Sequence, residues 1–356
     1  MYSYTAMDLK SFCETVLVKS GMAKDDSKIV AASLIQANLE GIDSHGISRL
    51  PIYVKRLLEG RINATPDIQL KANNSVLVVD GHNGLGHVVS YHALVKGMKM
   101  VKQSGIVAIA IKNSNHFGAA SYFCQLVCKR NIICIGFTNS PSGIAPWGGK
   151  QAFFGTNPIA FGFPTGNDTP VIIDLSTSVV ARGKIMVADQ QGDSIPDGWA
   201  IDQKGEPTNN PKEALKGSVL PMGGPKGSAL ALAVELLAGV LSGAAFGPYV
   251  KNIYNEEEED KANVGHFFIL IDTEKFMDLE TFFPSIQNLL EEMKKVSKVP
   301  GIKEIRYPGE RRKREEQKRK ETGIQLAAPL EKELMEIGEQ FNIKFPARTV
   351  TQSMET

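Results

Sequence analysis

Apolar residues recur every three or four positions over residues 7–40, and in short dense runs from residue 75 onward. That change of period divides the chain. In the first stretch Leu9, Phe12, Val16 and Leu17 fall on one helical face, and Ile29, Ala32, Leu34, Ile35 and Leu39 on another. Two helices are expected, the first capped by Asp8 and the second opening at Asp25 or Asp26. A third is expected over residues 49–59, stopped by Gly60.

From residue 75 the pattern becomes mixed. SVLVVD at 75–80 is a β-branched run closed by the turn residues Gly81, His82 and Asn83. GIVAIAIK at 105–112 barely alternates, which predicts a strand buried on both faces. Further strands are expected at 132–138, 157–163, 171–175 and 267–272, with helices over 90–104 and 119–130. Strands interleaved with helices predict an α/β (α+β) sheet with helical layers, from about residue 75 to about 306. A last helix over 330–341 is expected to pack back on the N-terminal helices.

Composition narrows the function classes. The net charge of +1 gives no global attraction for nucleic acid or an anionic membrane. Cys13, Cys124, Cys128 and Cys134 form no CxxC pair, so buried reduced thiols, no metal site and a cytoplasmic compartment are expected. The start of the chain lacks a basic segment followed by an apolar run, as a secretory signal would have. Residues 228–245 are apolar, but Glu235 interrupts them, so a buried helix is expected rather than a membrane span. The charge run at 310–321 reads as solvated helix surface, and Glu256 to Glu259 as an exposed loop.

The chemistry concentrates in polar clusters set into apolar structure. No GxGxxG fingerprint is present; the glycines of GHNGLG at 81–86 are spaced differently. Asp43, Ser44, His45, Gly46 and Arg49 lie between two helices, with Tyr53 four residues further on. Asp43 or Ser44 can cap the next helix, His45 can move a proton near neutral pH, and Arg49 offers a planar fork for a carboxylate. The four-residue step from His45 to Arg49 would put both on one helix face. His116, in KNSNHFG, follows a buried strand, where mixed α/β folds favour ligand sites. It is equally suited to acid–base work and to satisfying loop carbonyls. Ser140 follows another strand. Gly223, Gly224, Pro225 and Lys226 form a glycine-led helix start suited to phosphate, and Lys184 is a further candidate anion contact. His82, His87, His92 and His266 read as structural or surface residues.

Taken in order, DSHGISRLPIY, NSNHFGAASYF, TNSPSGIAPWGG, FGTNPIAFGFP, IDLSTSVVARGK, SIPDGWAIDQKGEPT, LPMGGPKGSALAL and YPGERR resemble the malate/L-lactate dehydrogenase family that is unrelated to the Rossmann-fold enzymes. The resemblance runs from about residue 5 to about 345. It implies a non-Rossmann mixed-sheet nicotinamide-binding domain at 75–309. A helical domain would be built from 1–74 and from C-terminal helices at 310–356. It implies Ser44 and His45 in the catalytic centre, with His45 as proton donor in keto-acid reduction. It also implies His116 as the acceptor used by ureidoglycolate-type members, and both assignments stay open. Arg49 and Tyr53 would then meet substrate. Ser140, Asp174, Leu175, Ser176, Lys184, Pro225, Lys226, Gly309, Glu310 and Arg311 would meet NAD or NADP, NAD being favoured. The implied protein is a homodimer acting on malate, lactate or sulfolactate. Pro141 counts against a ureidoglycolate substrate, and Lys184 against a cyclic imine, because relatives doing that chemistry carry acidic residues there. A catalytically silent nucleotide-binding protein is the reading from another class; the intact set Ser44, His45, Arg49, His116 and Lys226 speaks against it.

Overall fold

The computed structural model describes residues 2–253 and 261–349. The acidic loop expected at Glu256 to Glu259 and the end of the expected C-terminal segment lie outside those residues.

A seven-stranded mixed sheet forms the centre. Its strands are β1 (Gln69–Asn73), β2 (Val76–Asp80), β3 (Ile106–Ser114), β4 (Ile132–Thr138), β5 (Ile159–Phe163), β6 (Val171–Leu175) and β7 (Val264–Asp272). The spatial order is β1-β2-β3-β7-β4-β5-β6. Only the β2–β3 neighbours run parallel. β7 enters between β3 and β4, antiparallel to both. The sheet is therefore mixed and not of the all-parallel kind that carries the glycine fingerprint.

Period-two alternation explains the two faces. Val107, Ile109 and Ile111 of β3 and Phe268 and Leu270 of β7 point to one side, under helices Gly86–Ser104 and Ala120–Cys128. Ala108 and Ala110 of β3, with Phe267 and Ile269 of β7, point to the other. The small residues there admit the helix that begins at Pro225. Cys124, Cys128 and Cys134 sit in the first of these layers and Cys13 in the helical core, all buried and unbridged.

A second core joins both ends of the chain. Helices Ala6–Lys19, Lys24–Leu39 and Leu50–Leu58 pack with Ile324, Leu326, Leu334 and Ile337. Tyr2–Tyr4 pairs antiparallel with Ile324–Leu326, a long-range pairing that no local pattern announces. A small third cluster, around Val180, Ile185, Ala200 and Val219, holds a separate three-stranded sheet whose short strands the apolar pattern does not announce.

Several local expectations change. Thr5, not Asp8, caps the first helix: its hydroxyl accepts from the Asp8 N–H at 3.0 Å. The second helix has no side-chain cap; Asp25 and Asp26 lie within its first turn. The apolar segment at 228–245 is buried on one side only, because Leu232, Leu236, Val240 and Leu241 are 47–62% exposed. No helix among the described residues is long and apolar enough to cross a membrane. The charged helix Glu310–Thr322 has no fully buried residue, yet Arg312 and Arg319 reach inward to Asp174 and Asp43.

Candidate active site

A buried amide, Asn38, anchors the DSHG segment. Asn38, in helix Lys24–Leu39, accepts from the Ile47 N–H at 2.7 Å and donates to Asp43 at 2.7 Å. A Cβ on Gly46 would lie 2.2 Å from that Asn38 oxygen, so only glycine fits there. Arg319 clamps Asp43 from the far end of the chain, at 3.1 Å for one of its two contacts. The result is two short 3₁₀ turns, Asp43–His45 and Ile47–Arg49, instead of a capped helix start. His45 and Arg49 therefore share no α-helical face. Arg49 folds back and donates to the Ser44 carbonyl at 2.6 Å.

His116 arrives from the sheet, two residues beyond β3. Its ring stacks on His45, with centroids 5.6 Å apart and planes 28° apart. Each ring has its Nδ1 engaged by a hydroxyl. Ser44 Oγ lies 2.9 Å from His45 Nδ1, and Tyr53 Oη lies 2.6 Å from His116 Nδ1. Tyr53 is 1% exposed, so its hydroxyl stands behind His116. His87 completes the cluster. It is buried, edge-on to Tyr53 at 5.5 Å and to His116 at 6.4 Å. The five-residue spacing of His82, His87 and His92 hid it, because only the fold brings His87 alone to this wall.

Burial and like charge keep these imidazoles neutral. His45 is lowered to about 4, by burial first and then by Arg49. His116 is pushed well below the ordinary imidazole value, by burial and then by His45. His87 and His266 are lowered to about 3, mainly by burial. His266 is a core residue: it stacks on Phe117 at 4.6 Å and bonds Ser114 and Thr138. Burial and the nearby Glu14 raise the Cys13 thiol, which marks it as inert. Among the described residues no three His, Cys, Asp or Glu side chains are grouped to hold a metal.

The residues expected to meet a cofactor fall into three groups. Ser140 Oγ accepts from the Thr156 N–H at 3.0 Å; the Thr156 carbonyl accepts from Thr177 at 2.9 Å; the Thr177 carbonyl accepts from Met222 at 2.9 Å. Ser140, the neighbourhood of Ser176 and the Pro225–Lys226 helix start are thus stitched together. Asp174 and Leu175 end β6. The Asp174 carboxylate accepts from the Ser121 N–H at 3.0 Å and meets Arg312 at 3.4 Å. It lies close enough to His45 to act on its protonation. Arg312 was not singled out in the sequence, since it is buried in a charge run. Gly309 caps helix Glu310–Thr322 against the Pro170 carbonyl, Glu310 accepts from the Tyr307 N–H, and the Arg311 guanidinium lies by Gly41. Lys184 stands apart, exposed on helix Arg182–Gln191.

Gly223 and Gly224 both have positive φ, and a Cβ on Gly223 would face open space. The backbone is therefore bare ahead of a helix whose first N–H groups lack intrahelical partners, with Lys226 beside them. That arrangement fits the pyrophosphate of a dinucleotide.

Comparisons with known proteins bear on the family and the fold. The family model for malate/L-lactate dehydrogenase matches residues 4–335. The L-sulfolactate dehydrogenase of Methanocaldococcus jannaschii is 42% identical over 323 residues, 90% of this chain and 92% of that one. The malate dehydrogenase of Pyrococcus horikoshii is 38% identical over 345 residues, 94% of each chain. The solved structure of sulfolactate dehydrogenase from Methanocaldococcus jannaschii superposes with a TM-score of 0.91 at 39% identity, over 97% of this chain and 98% of that one.

Proposed function

The chain belongs to the malate/L-lactate dehydrogenase family, whose members are hydroxyacid dehydrogenases, and from that premise we propose that it moves a hydride between a nicotinamide cofactor and a small 2-hydroxy acid of the malate, lactate or sulfolactate type. The observation that carries this reading is the stacked His45–His116 pair, each ring with its Nδ1 engaged by a hydroxyl, beside Arg49. With both Nδ1 atoms committed, the Nε2 atoms are the ones left to meet substrate. Arg49 holds the substrate carboxylate by its planar fork. Neutral imidazole is the base form, so one of the two histidines takes the hydroxyl proton during oxidation and returns it during reduction. Proton transfer of this kind contributes roughly 10²–10⁴-fold.

Tyr53 acts through His116 in this scheme. If its hydroxyl accepts from Nδ1–H, the Nε2 lone pair of His116 is free to act as the base. Ser44 does the same for His45. Bound nicotinamide supplies the hydride acceptor or donor at the substrate's C2. Ser140, Asp174, Leu175, Ser176, Pro225 and Lys226 would hold the dinucleotide, together with Gly309, Glu310 and Arg311; NAD is favoured over NADP. Lys184 reaches it only if its exposed helix turns toward the ligand. The division proposed is 1–74, 75–309 and 310–356, although β1 (Gln69–Asn73) of the first segment joins the sheet and Leu85 and Val88 of the second pack in the helical core. The exposed apolar side of residues 230–241 suits a homodimer contact.

The test is direct. Purified enzyme is given oxaloacetate, pyruvate or sulfopyruvate with NADH and NADPH in parallel, and loss of reduced-cofactor absorbance is followed. Turnover of at least one pair is expected. His45→Asn or His116→Asn should abolish most of it. Full activity in both variants would remove the histidine scheme, and no turnover with any pair would remove the substrate class.

A further inference from the structure

Glu235 is a carboxylate in an apolar place. It is 3% exposed, where the helix that starts at Pro225 widens from α to π form over Glu235–Leu241. Such widenings recur at functional sites. Both of its oxygens face donors. Asn157 Nδ2 lies 2.9 Å from one oxygen; Asn139 Nδ2 lies 3.3 Å and the Gly247 N–H 3.2 Å from the other. An acceptor-only group suits three donors, and a carboxamide does not.

The partners lie at the ends of different segments. Asn139 follows β4 and also holds β7, accepting from the Gly265 N–H at 2.9 Å and donating to the Ala245 carbonyl at 2.6 Å. Asn157 leads into β5 with φ of 37° and donates to the Ala231 carbonyl at 3.1 Å. The π turn presses against β7 so closely that a Cβ on Gly265 would lie 1.7 Å from the Ala238 carbonyl oxygen. Ser140 is the neighbour of Asn139, and Thr156 the neighbour of Asn157. The Ser140–Thr156–Thr177–Met222 chain begins at those two residues.

We propose that Glu235 is a positioning residue for the cofactor loops. Its carboxylate fixes the Ser140 and Thr156 strand ends against the helix whose other end presents Pro225 and Lys226. The inference rests on the cofactor reading given above. It touches no reacting atom, so its loss should weaken cofactor binding and leave the handling of the keto acid alone.

Glu235→Gln keeps the shape and replaces an acceptor by a donor facing donors. The expected result is a rise of about tenfold or more in the Kd for reduced cofactor, measured by fluorescence titration of folded protein, with a parallel rise in cofactor KM. The keto-acid KM at saturating cofactor should stay within about twofold. A purely structural role would lower the melting temperature and the folded fraction but leave the Kd of the folded fraction unchanged; that result overturns the proposal. Asn139→Ala, which removes the clamp's donor on the Ser140 side together with the bonds to Gly265 and Ala245, decides the matter if Glu235→Gln does not fold, and the same rise is expected. Ser140→Ala and Lys226→Ala test the cofactor reading separately. If those two weaken binding while Glu235→Gln and Asn139→Ala do not, the Glu235 role fails and the cofactor reading stands. If neither Ser140→Ala nor Lys226→Ala weakens binding, the cofactor reading itself fails and the Glu235 proposal falls with it.

Discussion

Lowering the pH from 7 to about 5.5 should leave hydroxyacid oxidation almost unchanged. The base form is needed for oxidation, and His45 is lowered to about 4 from an ordinary value of 6.5. At about pH 5.5 a group with its midpoint near 4 is about 97% neutral, whereas an unperturbed imidazole is about 9% neutral. The two cases differ about tenfold in rate. Burial is the first cause and the Arg49 charge the second, while Asp174 acts in the opposite direction. Asp174→Asn should therefore move the midpoint lower still, and Arg49→Met should move it up. His116 lies below the ordinary range as well, so the expectation holds whichever ring is the base. The assay is initial-rate oxidation at saturating cofactor and hydroxy acid well below KM, where kcat/KM reports the groups of the form that meets substrate. A sulfonated substrate keeps its distal group out of the titration. Enzyme held at the low pH and returned to pH 7 must regain full rate, which separates titration from unfolding. A fall of about eightfold in kcat/KM between pH 7 and about 5.5, with a midpoint near 6.5, would refute the argument that these imidazoles are held neutral.

Two further expectations concern stability. A Cβ at Gly118, where φ is 77°, would lie 2.5 Å from His87 Nε2; Gly118→Ala should cost about 1–3 kcal/mol in thermal unfolding, whereas Gly183→Ala, which meets nothing within 4 Å, should be near neutral. His266 is wholly buried and lowered to about 3, so the unfolded chain binds more protons than the folded one below about pH 6.5. Stability is therefore lost as pH falls through that window, at about 1.4 kcal/mol per unit for one such group. Between pH 7 and about 5, His266→Asn should lose about 2 kcal/mol less than the parent in urea unfolding; equal losses would refute it.

Legibility followed the range of the interactions. β4 and β6 were readable to the residue, because a buried strand writes its own apolar run. β1 was missed, since QLKAN is polar and its residues are exposed at the sheet edge. Helix Leu279–Lys295 was missed too; Pro284 lies inside it and it buries no residue completely. The site divides in the same way. Ser44, His45, Arg49 and His116 were visible as polar residues in apolar surroundings. Tyr53 was visible, but its partner was not: 63 residues separate it from His116, and only docking of the helical core on the sheet makes that bond. Arg312 had no local signal, Glu235 showed only as a break in an apolar run and His87 only as one of several spaced histidines, for each takes its meaning from a distant partner.

That distribution bears on how the site works. The two histidines come from different cores, His45 from a turn of the helical core and His116 from the end of β3. Their stacking thus reports how the cores are docked. The docking is held by charge across the seam. Arg312 meets Glu40 of the helical core at 3.6 Å and Asp174 of the sheet at 3.4 Å, while Glu40 accepts from Gln125 at 2.8 Å. One of these groups, Asp174, is also the residue expected to face cofactor and a charge that acts on His45. A ligand at Asp174 would therefore act at once on the seam and on the base. A small rotation of one core would separate the rings, and catalysis would fall steeply with a displacement of about 1 Å. The proposed acid–base pair is in this sense a property of the interface between two packed cores, and its geometry is set by residues that lie outside both polar motifs.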